Sequence, residues 1–417
     1  MDSPLVKNIE LLLNDKPAIY ALREKAKNAL LSQGFPSKKT EAWKYTDITP
    51  IIEKNFDINN SEHSCSCDCC HHKEEECKSV IEIHFCKGQL HIGEFNTPKG
   101  LNIIPLPLAL YENLDEYKKY IFKSFDIEKH PFAALSGIYL EQGICITVEK
   151  NTKIQKPIII KYKQNDCQNL QINLHNFWIL EKDSEIEILE EFSSNSKSCY
   201  LTNIVNEIYL KPDAKLNHYK IQKENSEAYH IALNAVKIQN NGLYKQYYLS
   251  EGAKISRQET LINLEQPYAS TEIYSAYKAK KDSLTDITTN INHLVENTNS
   301  NQYAKAVLEE DSTAIFQGKI HIAPNAIKTS GQQLHKALYL NENAVLNCKP
   351  ELEIYADDVK CSHGASCGEI DNEQLFYLTS RGINKNTAIN MLTQAHLEEI
   401  LALIPNEEIK KLFIFNK

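Results

Sequence analysis

Phe177-Trp178-Ile179-Leu180, a corner at Asp183-Ser184, and then Ile186-Glu187-Ile188-Leu189 form the unit that sets the fold of this chain. Each run is short, apolar and rich in residues that suit a pleated surface. Asp suits the corner because it tolerates left-handed backbone and hydrogen-bonds its own main chain. The unit recurs in both directions. Ile144 to Val148 and Ile158 to Tyr162 precede it, and corners follow at Asp213-Ala214, Asn241-Gly242, Asp282-Ser283, Asp311-Ser312 and Asn343-Ala344. Most neighbours in this series lie about thirty residues apart, the kind of period that marks stacked repeats. No long helical pattern separates the runs, which argues against a parallel sheet built from βαβ units. A β-sandwich gives similar text, but regular spacing over so long a stretch favours a solenoid.

Outward from this core the pattern turns helical. Leu5, Ile9, Leu12 and Leu13, then Leu22, Ala26, Ala29 and Leu30, repeat at helix spacing, with Pro17 as a break and Gly34-Phe35-Pro36 as a stop. At the other end Asp371 and Gln374 form a capping box, Gly382 ends that helix, and Ile389, Leu392, His396 and Ile400 mark a second. A short last helix ends near Phe415. Four regions result: an N-terminal helical region (1–56), a Cys/His-rich variable loop (57–79), a β core (80–368) and a C-terminal helical domain (369–417).

The 417 residues carry a formal net charge of -9, which disfavours nucleic acid as the main partner. No apolar run reaches the roughly 20 residues that span a bilayer, and Met1 to Glu10 lacks the plan of a signal peptide. A cytoplasmic, reducing setting is expected, with the 12 cysteines as free thiols. The chain contains no phosphate loop of the Gly-x-x-x-x-Gly-Lys-Ser/Thr type, no Gly-x-Gly-x-x-Gly, no His-Glu-x-x-His and no Gly-x-Ser-x-Gly. It is therefore expected not to hydrolyse ATP and not to be an enzyme. One catalytic class stays open, the β-helix carbohydrate-active enzymes, which use clustered acids in a groove. Asp282, Asp286, Glu309, Glu310 and Asp311 are the available acids, but most sit in turns, where solvated acids are expected. His293 and His321 lie in β text and read as core or interface residues.

The stretch Val359-Lys360-Cys361-Ser362-His363-Gly364-Ala365-Ser366-Cys367-Gly368 holds the candidate site. Residues two apart on a strand share a face, so Cys361 and His363 point together. A thiolate and an imidazole so placed can share a soft metal ion or an iron–sulfur unit. Two ligands are too few for a stable site, so a second chain or a substrate has to supply the rest; packing is the ordinary alternative.

That run, with Gln374-Leu375-Phe376-Tyr377-Leu378 and Ser380-Arg381-Gly382-Ile383, resembles the C-terminal core signature of the SufB/SufD family. Glu41-Ala42-Trp43-Lys44-Tyr45-Thr46-Asp47 and Gly364 resemble the SufD branch. The resemblance covers nearly the whole chain. It implies a mainly β fold, a right-handed parallel β-helix between N-terminal and C-terminal helical parts. It also implies a SufB–SufC–SufD scaffold complex for iron–sulfur cluster assembly. In that complex the chain pairs with a SufB-like subunit through the β-helix and with a SufC-like ABC ATPase through the C-terminal helices. The resemblance implies no tightly bound cofactor, a cluster held only transiently at the subunit interface, and ATP bound by the partner ATPase alone. By the same resemblance His363 is the better candidate cluster ligand and Cys361 the weaker.

The chain departs from the family pattern at Cys367, read as a buried neutral thiol with a ligand role as the alternative. It departs again at Cys65 to Cys77, where Cys-x-Cys-x-Cys-Cys-His-His could trap zinc or copper but reads as a variable loop.

Overall fold

One left-handed residue at most corners sends consecutive strands into opposite sheets. The computed structural model describes residues 3–6, 17–58, 80–91, 97–164, 168–194 and 197–415. In chain order the strands are β1 (Asp57–Ile58), β2 (Ile81–Cys86), β3 (Gln89–His91), β4 (Leu101–Pro105), β5 (Ile144–Val148), β6 (Ile158–Lys163), β7 (Leu170–Leu180), β8 (Glu185–Ser193), β9 (Tyr200–Leu210) and β10 (Lys215–Lys223). Then follow β11 (Tyr229–Ile238), β12 (Leu243–Ser250), β13 (Ile255–Leu264), β14 (Ser270–Ala279), β15 (Leu284–His293), β16 (Asn299–Leu308), β17 (Thr313–Ile322), β18 (Ser330–Tyr339), β19 (Val345–Ile354) and β20 (Lys360–Glu369). From β5 onward odd strands build one sheet and even strands the other, each strand pairing in parallel with the strand two places on. This is a parallel β-solenoid with two strands per turn. Among the described residues only β2–β3 and β4–β5, at its N-terminal end, pair antiparallel.

Asp183, Asp213 and Asn241 have positive φ where the first sheet leads to the second, and Tyr268, Asn297, Lys328 and Asp358 continue that edge. Asp282 and Asp311 have positive φ on the opposite edge, where the second sheet leads back. The corner series read from sequence therefore joins two edges. Asn343, its last member, does not have left-handed backbone.

The interior is stacked in register. Trp178, Ile208, Val236, Ile262, Ile291, Ile320 and Leu352 pair successively along the first sheet. All but Leu352 are fully buried. Beside them runs an asparagine ladder: Asn176 donates to Asn206 at 2.8 Å, and Asn206 to Asn234 at 2.9 Å. Rings stack likewise, with Phe85, Tyr162 and Phe192 spaced 4.9 and 4.4 Å apart. Burying so many polar groups is tolerable because identical neighbours one turn away supply the missing partner.

Helices α1 (Pro17–Gln33) and α2 (Thr49–Ile52) precede the solenoid. The residues 7–16 of the expected first helix lie outside the described part. Inside the stretch expected to be β, the chain forms α3 (Leu106–Glu112), α4 (Leu114–Tyr117) and α5 (Pro131–Tyr139). Every residue of α5 is buried, held between α1 and the outer face of β7 and β9. A helix apolar all round shows no amphipathic period, which is why the sequence did not reveal it. Glu207 on β9 ties the following loop down. Its buried carboxylate accepts from the backbone N–H groups of Phe122, Lys123 and Ser124, from the Ser124 hydroxyl and from the Tyr209 hydroxyl. Burial raises its pKa, but the His175 hydrogen bond and these donors outweigh that and hold it below the usual range.

At the C-terminus α6 (Asn372–Ser380), α7 (Lys385–Leu401) and α8 (Glu407–Lys410) follow. Asp371 caps α6, accepting from the N–H groups of Glu373 and Gln374, and Gly382 with φ 86° ends it. Leu397, Ile400, Leu401 and Phe413 pack on the outer face of the second sheet, against the stacked rings of Tyr219, Tyr247 and Tyr274. These helices thus lie along the side of the solenoid.

Candidate functional site

β19 and β20 are the last strands of their sheets, and each has one hydrogen-bonded neighbour among the described residues. Both sheets therefore end in free edges at the same end of the solenoid, and eight of the ten residues of β20 are exposed. The register places Cys361 beside Gly331, His363 beside Gln333 and Cys367 beside Ala337. Gly331 faces the interior, where a Cβ on it would stand 3.3 Å from Ile320 and 3.5 Å from the Cys361 sulfur. Cys361 and His363 thus share the inward face, as the two-residue spacing predicts. Cys361 is half-buried against Leu352 and Val359, and burial pushes its thiol up. A raised pKa makes Cys361 a poorer thiolate. His363 is exposed, and among the described residues no hydrogen bond or ion pair holds its ring. The Gln333 Nε2–H below donates to Gln302 at 3.0 Å, while its buried Oε1 has no hydrogen-bond partner among the described residues. The His363 imidazole is therefore free at the mouth of the solenoid.

Cys367 is exposed, not buried as its sequence context suggested. The last turn has no further turn stacked on it, so a side chain that would be core elsewhere is open here. Cys65 to Cys77 lies outside the described residues. Asp286 departs from the expected solvated acids: it is 1% exposed and paired with Arg257, itself 1% exposed. His293 is buried, with its ring nitrogens 2.8 Å from the Thr298 and Ser300 hydroxyls. His321 is partly exposed beside Glu353.

Arg257 explains the N-terminal signature. Its guanidinium lies 4.0 Å from the Trp43 ring centre, and the Thr46 hydroxyl donates to the same Asp286 carboxylate. Gln317 donates to the Ala42 carbonyl at 3.2 Å, and Lys349 pairs with Glu41 at 2.9 Å. Four residues of the motif thus grip β13, β15, β17 and β19 in turn, and the grip reaches the last turn. Sequence reasoning missed Arg257 and took Asp286 for one of the solvated acids; a lone Arg in β text beside an Asp one repeat later was the available signal.

C-terminal to the site, α6 buries none of its residues. Phe376 is 74% exposed and Tyr377 58%, whereas Ile400 and Phe413 are 2% and 3% exposed against the sheet. The apolar residues of the C-terminal helices therefore divide, with Phe376 facing outward.

Residues 162–396 match the SufBD core domain of the SUF system for FeS cluster assembly, and residues 7–160 match the SufBD N-terminal region. Protein ABCI7, chloroplastic, of Arabidopsis thaliana is 28% identical over 97% of this chain and 88% of its own length. The iron-sulfur cluster assembly protein SufD of Escherichia coli is 27% identical over 92% of this chain and 88% of its own length. SufD of Bacillus subtilis is 25% identical over 88% and 87%. No described helix is long and apolar enough to cross a membrane. With a core match spanning more than half its length, on a solenoid whose end strand carries the expected Cys–Ser–His run, the chain belongs to the SufBD family of iron–sulfur cluster assembly proteins.

Proposed function

We propose that this chain is a non-catalytic subunit of a SufB–SufC–SufD scaffold, pairing with a SufB-like subunit at the open end of the solenoid and with a SufC-like ABC ATPase through α6. The observation that carries this is the coincidence of two free sheet edges with an unpartnered imidazole at His363. A second solenoid can add its strands to those edges, main chain to main chain, as in β-augmentation. His363 would then face whatever donor the partner presents. A neutral imidazole offers a lone pair to iron, and a partner thiolate supplies the complementary ligand. The cluster is cargo here, assembled and passed on.

Replacing His363 with Ala removes an exposed ring that no described residue hydrogen-bonds or pairs with. The complex is expected to assemble and its ATPase to turn over, because interface area sets assembly. Cluster formation on the complex is expected to fall at least about tenfold, since affinity follows ligand count and geometry. Cys361→Ala is expected to be milder. A His363→Ala complex that assembles cluster at the normal rate would sink the ligand role. A complex that falls apart would make the residue structural.

A further inference from the structure

We propose that Cys348, Cys367 and His335 form a second metal site at the open end, separate from His363, for a soft or borderline ion of the zinc class. The pair at its base is already in place. Cys348 Sγ on β19 lies 3.7 Å from His335 Nδ1 on β18. A nitrogen at about 2.0 Å and a sulfur at about 2.3 Å from a tetrahedral zinc stand roughly 3.5 Å apart, so little movement admits the ion. The other ring nitrogen of His335 is 2.7 Å from the Tyr277 hydroxyl. With Nε2–H donating to Tyr277, the Nδ1 lone pair faces the sulfur. Metal-bound histidines are usually held in this way by an outer partner. His335 is fully buried and stacks 4.5 Å from Phe316, so its ring cannot turn away.

The third donor is Cys367. It lies on the inward face of β20, one residue pair beyond Ala365, which is the register partner of His335. Its register partner Ala337 belongs to the buried cluster that Cys348 packs against, so Cys367 stands on the strand that closes over that cluster. Among the described residues no three such side chains are already closed around one point. Cys367 is exposed and unpaired, and has to swing inward. Binding replaces the proton shared between Cys348 and Nδ1 and the thiol proton of Cys367. Two protons leave to solvent, and two thiolates neutralise a divalent ion. Two sulfurs and one nitrogen favour zinc-class ions over magnesium or calcium, which want oxygen. A fourth position stays open toward the mouth of the solenoid.

The test uses the full chain with all five cysteines of residues 65–77 replaced by Ser and His63, His71 and His72 by Ala, so that this segment cannot compete, and cobalt(II) as the probe. One cobalt per chain is expected, with tetrahedral d–d bands and a sulfur-to-cobalt charge-transfer band of two-thiolate strength. Cys367→Ser touches only an exposed side chain, so folding is not at issue, and it is expected to halve that band. Cys348→Ser is expected to do the same. Each is expected to weaken binding more than the about 10–100-fold that losing an outer partner costs, which is the loss expected for Tyr277→Phe. His363→Ala is expected to change none of this. The site is refuted if the band survives intact in Cys367→Ser, or if it vanishes in His363→Ala or Cys361→Ser. Because the readout is metal binding to the isolated chain, its failure would leave the scaffold function standing.

Discussion

His293 is neutral in the folded chain because burial comes first: it pushes the ring down to about 3, and His321 nearby adds to the shift. An unfolded histidine takes up its proton near pH 6.5. Between those two values the unfolded chain binds more protons than the folded one, so stability is present above about pH 6.5 and is lost as pH falls. From pH 7 to pH 5 the loss is about 2 kcal/mol for such a ring. His335, held down to about 3 by burial, follows the same rule. Urea unfolding of His293→Gln at both pH values is expected to show a fall about 2 kcal/mol smaller than in the parent chain. An unchanged fall would mean that the folded ring accepts its proton after all. At this scale the sequence is legible where spacing decides. Cys361 and His363 share a face because a strand has period two. It is silent where partners come from distant turns, as with Glu207 and the loop at Phe122–Ser124, or Arg257 and Trp43.

Among the elements, α6 and α7 look alike in sequence and differ in use. The capping box and the closing glycine made α6 legible, because caps are local chemistry. Which face α7 buries was less so: Ala388, Thr393, Leu397, Ile400 and Leu401 are buried, and of the expected stripe only Ile400 is among them, while Ile389, Leu392 and His396 are half-buried at its margin. The sheet that receives α7 chooses the face. Truncating the chain after β20 would therefore uncover the Tyr219–Tyr247–Tyr274 stack as well as remove α6, and would not isolate docking. Phe376→Asp is the cleaner change, since the ring is 74% exposed. If α6 docks the ATPase, this variant is expected to weaken that complex by at least about 2 kcal/mol, the loss typical of a central apolar anchor. The melting temperature of the isolated chain is expected not to move. A pull-down that recovers the ATPase with undiminished affinity would remove α6 from the interface. Helix α5 remained hidden because a helix buried on every side resembles the apolar text of a strand.

For the whole molecule, the solenoid was legible because its corners repeat, although the two edges were merged into one series. The end was not legible, since nothing in a repeat says which copy is last. The proposed pairing uses that end, and its edge can be tested one backbone group at a time. In a parallel ladder alternate residues address opposite neighbours. The Lys360 N–H donates to the Thr329 carbonyl, toward β18. Ser362, Gly364, Ser366 and Gly368 follow that direction, so the N–H groups of Cys361, His363, Ala365 and Cys367 face the free edge. Ala365→Pro deletes one of those outward donors and places ring atoms where a partner strand would lie. Proline is tolerated on an edge strand when its missing N–H faced solvent, so the β18–β20 ladder is expected to persist. The variant is expected to keep its circular dichroism and its ATPase contact while losing the SufB-like subunit in size-exclusion chromatography. Gly364→Pro, on the inward-bonding set, is expected to disturb the last turn itself, because it removes a ladder bond. If Ala365→Pro still pairs at full affinity, the two solenoids meet through some other face, and His363 loses the partner its free imidazole requires.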